Sequence, residues 1–503
     1  MPKLLHFRAA GEARLTALES LFDRVVPDGQ WQHRTIDRRA LLDTVDRRLL
    51  SRGLFLLCDT APTHCLLSLH DALGATLARD VPATHCPQRP TTLGDRRLRD
   101  PIESAVGVRS LLPVRLWSVE SSRHSVRNAD DKLLGDVVLE RHTLLEAGFV
   151  IVTVSVWPRR GYRGELARYL DAARVMRSLE RLARTSTALL DSILPPAPGI
   201  PTRLPQLALN PQQPAGPELA RLMARYQRII RDNERGIRED IDSEFLHDFR
   251  IALRHARTFA GAFRSLVPPP TPLLDDFRWL SSETSLLRDL DVWLQDLDLP
   301  DATVEPAVVA AVTRRRRLEQ RRLSRVLQSA RYVRFHRRWT DWVEQLSSCA
   351  DGAPTGTVLT EAIRKRYKRL RRRLRAGDRT LSLAALHDVR KDAKKLRYLA
   401  EAYATMQSCS KCAGVLRDLK RLQNVAGPIC DQRARADLIA AWCEHCEHDM
   451  LRKGLEAELE RCREAAEIDL DRQDRRKLAR HLEHLASASF AKSIERLDGE
   501  STA

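Results

Sequence analysis

The chain has 503 residues, with 85 Lys+Arg against 67 Asp+Glu, a formal net charge of +18 and a sequence pI near 9.8. That length exceeds one ordinary core, so two or more domains are expected, and the basic surplus points to an acidic polymer or surface as partner. No apolar run approaches the roughly eighteen residues of a membrane span, and the first residues lack the apolar core and cleavage site of a signal peptide, so a cytoplasmic protein with no membrane partner is expected. Its ten cysteines are then reduced thiols rather than a disulfide framework. An aromatic content of 5% argues against a single-strand binder built on base-stacking rings.

Residues 1 to about 170 are β-rich, with short strands expected at 54–57, 65–69, 136–139 and 149–156, separated by Gly, Pro, Asp and Asn. Helix is expected from Tyr162 to about Leu194. Pro195, Pro196, Pro198, Pro201, Pro205, Pro211, Pro214 and Pro217 then forbid regular helix and mark a boundary. The chain therefore divides into residues 1–192, a Pro-rich linker over 193–217, and residues 218–497. The last part is helix-compatible almost throughout, interrupted at Pro268–Pro270, Asp298–Pro306, Asp351–Gly356 and Gly427-Pro428.

Within it one pattern occurs twice. His247, Arg250, Arg254 and Arg257 stand at i, i+3, i+7 and i+10, and His387, Arg390, Lys394 and Arg397 repeat that spacing 140 residues later. Positions three, four and seven apart share one helix face, so each set forms a basic stripe roughly 15 Å long. One such stripe alone is commonly a solvated helix face. Two in the same register suggest a trough for a linear polyanion. Lys395 and the run Arg364–Arg375, where nine of twelve positions are Lys or Arg, add Arg366, Arg369 and Arg373 as secondary contributors.

These helices resemble the CHAD domain, an α-helical domain of two related bundles. Arg278-Trp279-Leu280, Leu287-Arg288-Asp289-Leu290-Asp291-Val292, Leu419-Lys420-Arg421-Leu422-Gln423-Asn424 with Gly427 and Asp431, and Lys394-Lys395-Leu396-Arg397-Tyr398 extend the resemblance over roughly residues 215–497. It implies binding of inorganic polyphosphate through the basic residues, without catalysis. Arginine offers bidentate hydrogen bonds to phosphate oxygens and lysine a point charge, which agrees with that implication. A non-specific RNA- or DNA-binding protein is the alternative from another class.

The stretch from Leu42 to Leu56, with Val137–Glu140 and Gly161-Tyr162, is similar to CYTH domains, the triphosphate tunnel enzymes. That family opens with Glu-x-Glu-x-Lys, where this chain has Pro2, Leu4 and His6. Leu56, Cys58 and His70 stand where basic side chains are expected to point inward, and Val152, Val154 and Val156 where carboxylates are. Mg²⁺ needs hard oxygen ligands that these residues do not supply. The N-terminal half is therefore expected to be a degenerate barrel and the chain not an enzyme. A triphosphatase or polyphosphatase working through this half is the rival reading. Arg115, Arg123 and Arg127 are ordinary surface arginines on this view.

Cys409-x-x-Cys412 and Cys443-x-x-Cys446 have zinc-ligand spacing, but they fall within the helical pattern and are taken as incidental cysteines. No phosphate loop, dinucleotide fingerprint or nucleophile elbow occurs. The expectation is an α+β protein with a β-rich CYTH-like barrel and an all-α, two-bundle CHAD domain. It has no catalytic residues, no metal and no cofactor, and it binds polyphosphate, with polyphosphate granules as a possible location.

Overall fold

The computed structural model describes residues 5–9, 15–23, 30–60, 64–71, 76–144, 150–162, 164–166, 179–181, 209–297, 304–349, 352–376, 383–406, 410–468 and 472–497. The chain divides into two compact units, Met1–Pro201 and Thr202–Ala503. The division falls inside the Pro-rich stretch. Pro2, Leu4, Cys409, most of the helix expected over 162–194 and the prolines up to Pro205 lie outside the described residues.

The first unit is a curled, wholly antiparallel sheet of nine strands: β1 (Leu5–Ala9), β2 (Gln32–Asp43), β3 (Leu54–Thr60), β4 (Cys65–Asp71), β5 (Thr76–Ala83), β6 (Leu112–Arg127), β7 (Leu133–Leu144), β8 (Val150–Pro158) and β9 (Leu179–Arg181). Their order across the sheet is β5-β4-β3-β2-β6-β7-β8-β1-β9. Among the described residues, three α-helices accompany it: α1 (Leu15–Asp23), α2 (Arg48–Ser51) and α3 (Arg96–Val106). The motif from Leu42 to Leu56 is the β2–β3 connection. Buried Asp43 accepts hydrogen bonds from the backbone N–H groups of Thr44 (2.6 Å), Leu49 (2.9 Å) and Leu50 (2.9 Å), and Gly53, at φ 69°, turns the chain into β3.

The two faces of this sheet are assigned differently from the sequence expectation. Leu56, Cys58, Leu67 and Leu69 pack with Leu98 and Ile102 of α3, while Val152, Val154 and Val156 pack with Leu18 and Phe22 of α1. These are the helix-covered positions. Strand residues alternate sides, so the opposite face carries Arg39, Asp59, Glu140, His142 and Thr153. The charged face thus carries the neighbours of the expected residues, Asp59 beside Cys58 and Thr153 beside Val152. Arg39 donates to Asp59 (2.6 and 3.0 Å) and to Glu140 (3.3 Å), and His142 Nε2 lies 3.1 Å from Thr153 Oγ1. Arg123 pairs with Asp136 at 2.7 Å and Arg127 with Asp131 at 3.3 Å; Arg115 sits on β6 opposite Leu41.

The second unit is helical: α4 (Ala215–Arg238), α5 (Ser243–Ala262), α6 (Thr271–Glu283), α7 (Ser285–Leu297), α8 (Pro306–Val326), α9 (Ala330–Ser347), α10 (Thr355–Ala376), α11 (Leu383–Met406), α12 (Ser410–Cys443), α13 (Asp449–Ile468), α14 (Arg472–Ala486) and α15 (Ala488–Glu495). Helix starts recur at a nearly constant offset: Ala215 and Thr355 are 140 residues apart, Ser243 and Leu383 140, Thr271 and Ser410 139, Pro306 and Asp449 143, Ala330 and Arg472 142. The equivalent residues Pro214 and Pro354 form an antiparallel bridge, with Ala215 N–H donating to Ala353 O (3.1 Å) and Thr355 N–H to Gln213 O (2.9 Å). The two halves thus meet through matching positions, as expected of an internal two-fold.

One expected break is absent. The first half divides into α6 and α7 at Thr284, but α12 runs unbroken through Gly427-Pro428. Pro428 removes one N–H and so one helical hydrogen bond, and the surrounding packing keeps the helix continuous. No described helix is long and apolar enough to cross a membrane.

Candidate functional site

The two repeated stripes lie on α5 and α11. Asp242 caps α5, accepting from Glu244 N–H at 3.0 Å. Gly236 lets α4 approach closely, since a Cβ there would meet the Phe245 ring at 2.1 Å. Leu246, Phe249, Leu253, Ala256 and Phe259 are buried, leaving His247, Arg250, Arg254 and Arg257 half-buried on the other flank. On α11, Leu386, Val389, Ala393, Leu396 and Leu399 are buried, with His387, Arg390, Lys394, Lys395 and Arg397 half-buried. The helices meet where the buried His255 ring lies on Tyr398, 3.8 Å between centroids and tilted by 30°.

Beside that contact opens a cleft of about 520 Å³. Arg250, Arg254 and Arg257 line one wall, and His387, Arg390, Lys391, Lys394 and Lys395 another. Ser281, Thr284, Ser285 and Asp289 come from the α6–α7 corner, and Cys430 and Asp431 from α12. Seven Lys and Arg side chains thus face two carboxylates. The core of the site is symmetric in sequence, Arg250 matching Arg390 and Arg254 matching Lys394.

The hydroxyls orient the cations. Arg250 Nη1 donates to Thr284 Oγ1 (2.8 Å), Ser281 O (3.2 Å) and Ser285 Oγ (3.3 Å), and Arg257 Nη1 to Ser281 Oγ (3.3 Å). Arg390 makes a two-point ion pair with Asp431, at 3.0 and 3.2 Å. Crowding and partial desolvation leave their mark on the proton affinities. Burial, then the Arg390 and Arg254 charges, lower Lys394 to about 8, and burial, then Arg254, lower Arg250 to about 10. Arg257, Lys395 and His387 are also shifted down, burial leading in each case. Burial with Arg397 and Arg254 nearby lowers His255 to about 3, so it is a neutral packing residue at ordinary pH. Cations held this way are disfavoured until an anion enters.

Five of the twelve expected residues stand elsewhere. His247 is half-buried and does not line the cleft. Arg397 donates to Glu401 at 2.8 Å and borders a smaller cleft with Lys420 and Arg421. Arg366, Arg369 and Arg373 gather on α10 around buried Asp392, at 3.5, 3.4 and 2.8 Å. Sequence reasoning missed Ser281, Thr284, Ser285 and the role of Asp431. The polar run Ser281-Ser282-Glu283-Thr284-Ser285 between apolar residues is the signal that marks a helix break there. The two Cys-x-x-Cys pairs are separated by the length of α12. Cys412 and Cys443 are 31 residues apart on that helix, roughly 45 Å by helical rise, so the pairs cannot share a metal. Cys412 is buried and donates to Ala400 O at 3.3 Å.

The CHAD domain family matches residues 220–440. The crystal structure of the CHAD domain from the plant Ricinus communis superposes with a TM-score of 0.52 at 22% identity, covering 57% of this chain and 97% of its own, which establishes a shared fold. A putative adenylyl cyclase from Hippeastrum, described as revealing a dominant triphosphatase activity, matches 39% of this chain and 99% of its own at 15% identity and a TM-score of 0.27. No curated protein matches the chain. The expectation that the chain is not an enzyme, and with it the reading of residues 1–192 as catalytically inactive, is withdrawn. The physical reason lies in the sheet: that expectation rested on Pro2 and Leu4, which lie outside the described residues, on His6 and His70, and on Leu56, Cys58, Val152, Val154 and Val156, which are helix-covered, whereas Asp59 and Glu140 lie with Arg39 on the other face. The curled antiparallel sheet agrees with the β-rich fold expected of the first unit. Residues 220–440 form a CHAD domain.

Proposed function

We propose that the cleft between α5 and α11 binds inorganic polyphosphate, with Arg250, Arg254, Arg257, Arg390, Lys394 and Lys395 as the contacting cations and His387 at the rim. The observation that carries this reading is the imbalance of seven half-buried or rim cations against two carboxylates in one concave site. A flexible chain bearing about one charge per phosphate unit relieves that imbalance and needs no base-stacking surface. The aromatic lining residue, Tyr398, is already covered by His255, which makes nucleic acid the poorer ligand. Arg366, Arg369 and Arg373 act at a distance, by holding Asp392 and thereby α11. The reading extends to retention of the protein at polyphosphate granules.

Titration of the full chain with polyphosphate at two salt concentrations, with duplex DNA and RNA as competitors, tests it. With four to seven phosphate contacts, the log–log salt slope is expected at roughly −3 to −5. Arg250→Glu with Arg390→Glu is expected to abolish binding. Equal affinity for all polyanions, or binding that survives the double variant, would sink the proposal.

A further inference from the structure

A second basic feature lies outside the cleft, along α8. Exposed helix faces elsewhere in this unit alternate their charges: Arg452 pairs with Asp449, Arg463 with Glu460 and Arg433 with Asp437. On α8 the acidic residue is turned inward. Glu319 is buried and held by Arg315 and Arg322, so the outer edge presents Arg317, Arg321 and Arg325 one turn apart. Among the described residues none of these three has a carboxylate within ion-pairing distance, and the Nε groups of Arg321 and Arg325 reach only carbonyl oxygens one turn back, at 3.4 Å each. Like charges at i and i+4 repel along a helix, so this edge is unfavourable by itself. It borders a groove of about 990 Å³ that is lined also by Arg238 of α4 and by Asp240, which is ion-paired with Arg316, and by no aromatic residue.

Contacts of the residue after Arg321 tie α8 to the α6–α7 corner that lines the cleft. Arg322, next to Arg321, ion-pairs with Glu283 and donates through Nη2 to the Glu283 carbonyl at 2.9 Å. The following residue, Thr284, lines the cleft and holds Arg250. We propose that the α8 groove is a second segment of one track: a linear polyphosphate filling the cleft passes over the Glu283–Thr284 corner and lies along Arg317, Arg321 and Arg325. Cations roughly 6 Å apart on a straight ridge suit a flexible inorganic chain, and the lack of aromatic lining removes the platform that a single-stranded nucleic acid uses. This rests on the cleft reading and adds a preference for long chains to it.

The test is binding of tripolyphosphate and of long-chain polyphosphate by the full-length protein carrying Arg317→Ala, Arg321→Ala and Arg325→Ala together. Loss of three contacts is expected to weaken long-chain binding at least tenfold and to reduce the magnitude of its salt slope by about 2. Tripolyphosphate, too short to leave the cleft, is expected to bind as in the unaltered protein. Undiminished long-chain binding, or equal loss for both ligands, would overturn the track. A preference of the groove for RNA, seen as loss of RNA binding alone, would overturn it too. Arg250→Glu with Arg390→Glu separates the two claims: if that variant keeps its tripolyphosphate, the cleft reading fails, whatever the ridge does.

Discussion

Two sides of α11 carry similar basic side chains to opposite ends. On one, Arg366, Arg369 and Arg373 converge on Asp392, which is 3% exposed, and Arg373 also reaches Asp388 at 2.6 Å. On the other, the cleft cations outnumber their carboxylates and are shifted toward losing their protons. The densest basic run in the sequence therefore supplies the compensated side, and the sparser stripes supply the uncompensated one. Charge density along a sequence does not locate unmatched charge; the packing of helices around a concavity does. Arg39 in the first unit makes the same point, since Glu140 and Asp59 outweigh its burial and raise its proton affinity, the reverse of Arg250.

The sharpest way to break this contrast is Asp392→Ala. It leaves three arginines facing one another beside a buried helix and is expected to destabilise the second unit by about 2–3 kcal/mol, less than for a fully buried pair because Arg369 and Arg373 are partly exposed. Thermal unfolding would show it; an unchanged melting temperature would mean the cluster is not structural. Next, Arg250→Ala is expected to weaken polyphosphate binding by about 1.5–2 kcal/mol, as for a charged hydrogen-bonding partner, and Arg369→Ala to leave it nearly unchanged. Similar losses in calorimetric titrations would erase the distinction between the two sides. The smallest effect is on pH. Lys394 titrates near 8 in the empty cleft, and a bound polyanion raises that value, so binding takes up a proton. Affinity is thus highest below pH 8 and falls as pH rises through it, by up to about tenfold between pH 7 and 9 if one group is fully coupled. Lys394→Arg should flatten the profile.

The fold class and the repeat were legible because periodicity and spacing survive in one dimension. The repeat singled out α5 and α11, but which of their side chains converge depends on where the helices cross, and that is set by His255 and Tyr398, a contact between residues 143 positions apart. This is why Arg257 enters the cleft while its sequence equivalent Arg397 turns to Glu401. The hydroxyl corner at Ser281–Ser285 was hidden because the equivalent stretch in the second half stays helical through Pro428. In the sheet, apolar runs such as Phe55–Leu57 and Val150–Val152 carry no alternation to reveal their faces, and a slip of one residue inverts every assignment.

The cleft takes one wall from each half of the repeat, and the halves are already joined by the bridge between Pro214 and Pro354. The proposed anion would act there in parallel with that junction: separating the halves would require releasing it, and releasing it would weaken what holds them together. The ligand then acts as a clasp, and its concentration sets how readily the domain opens into two.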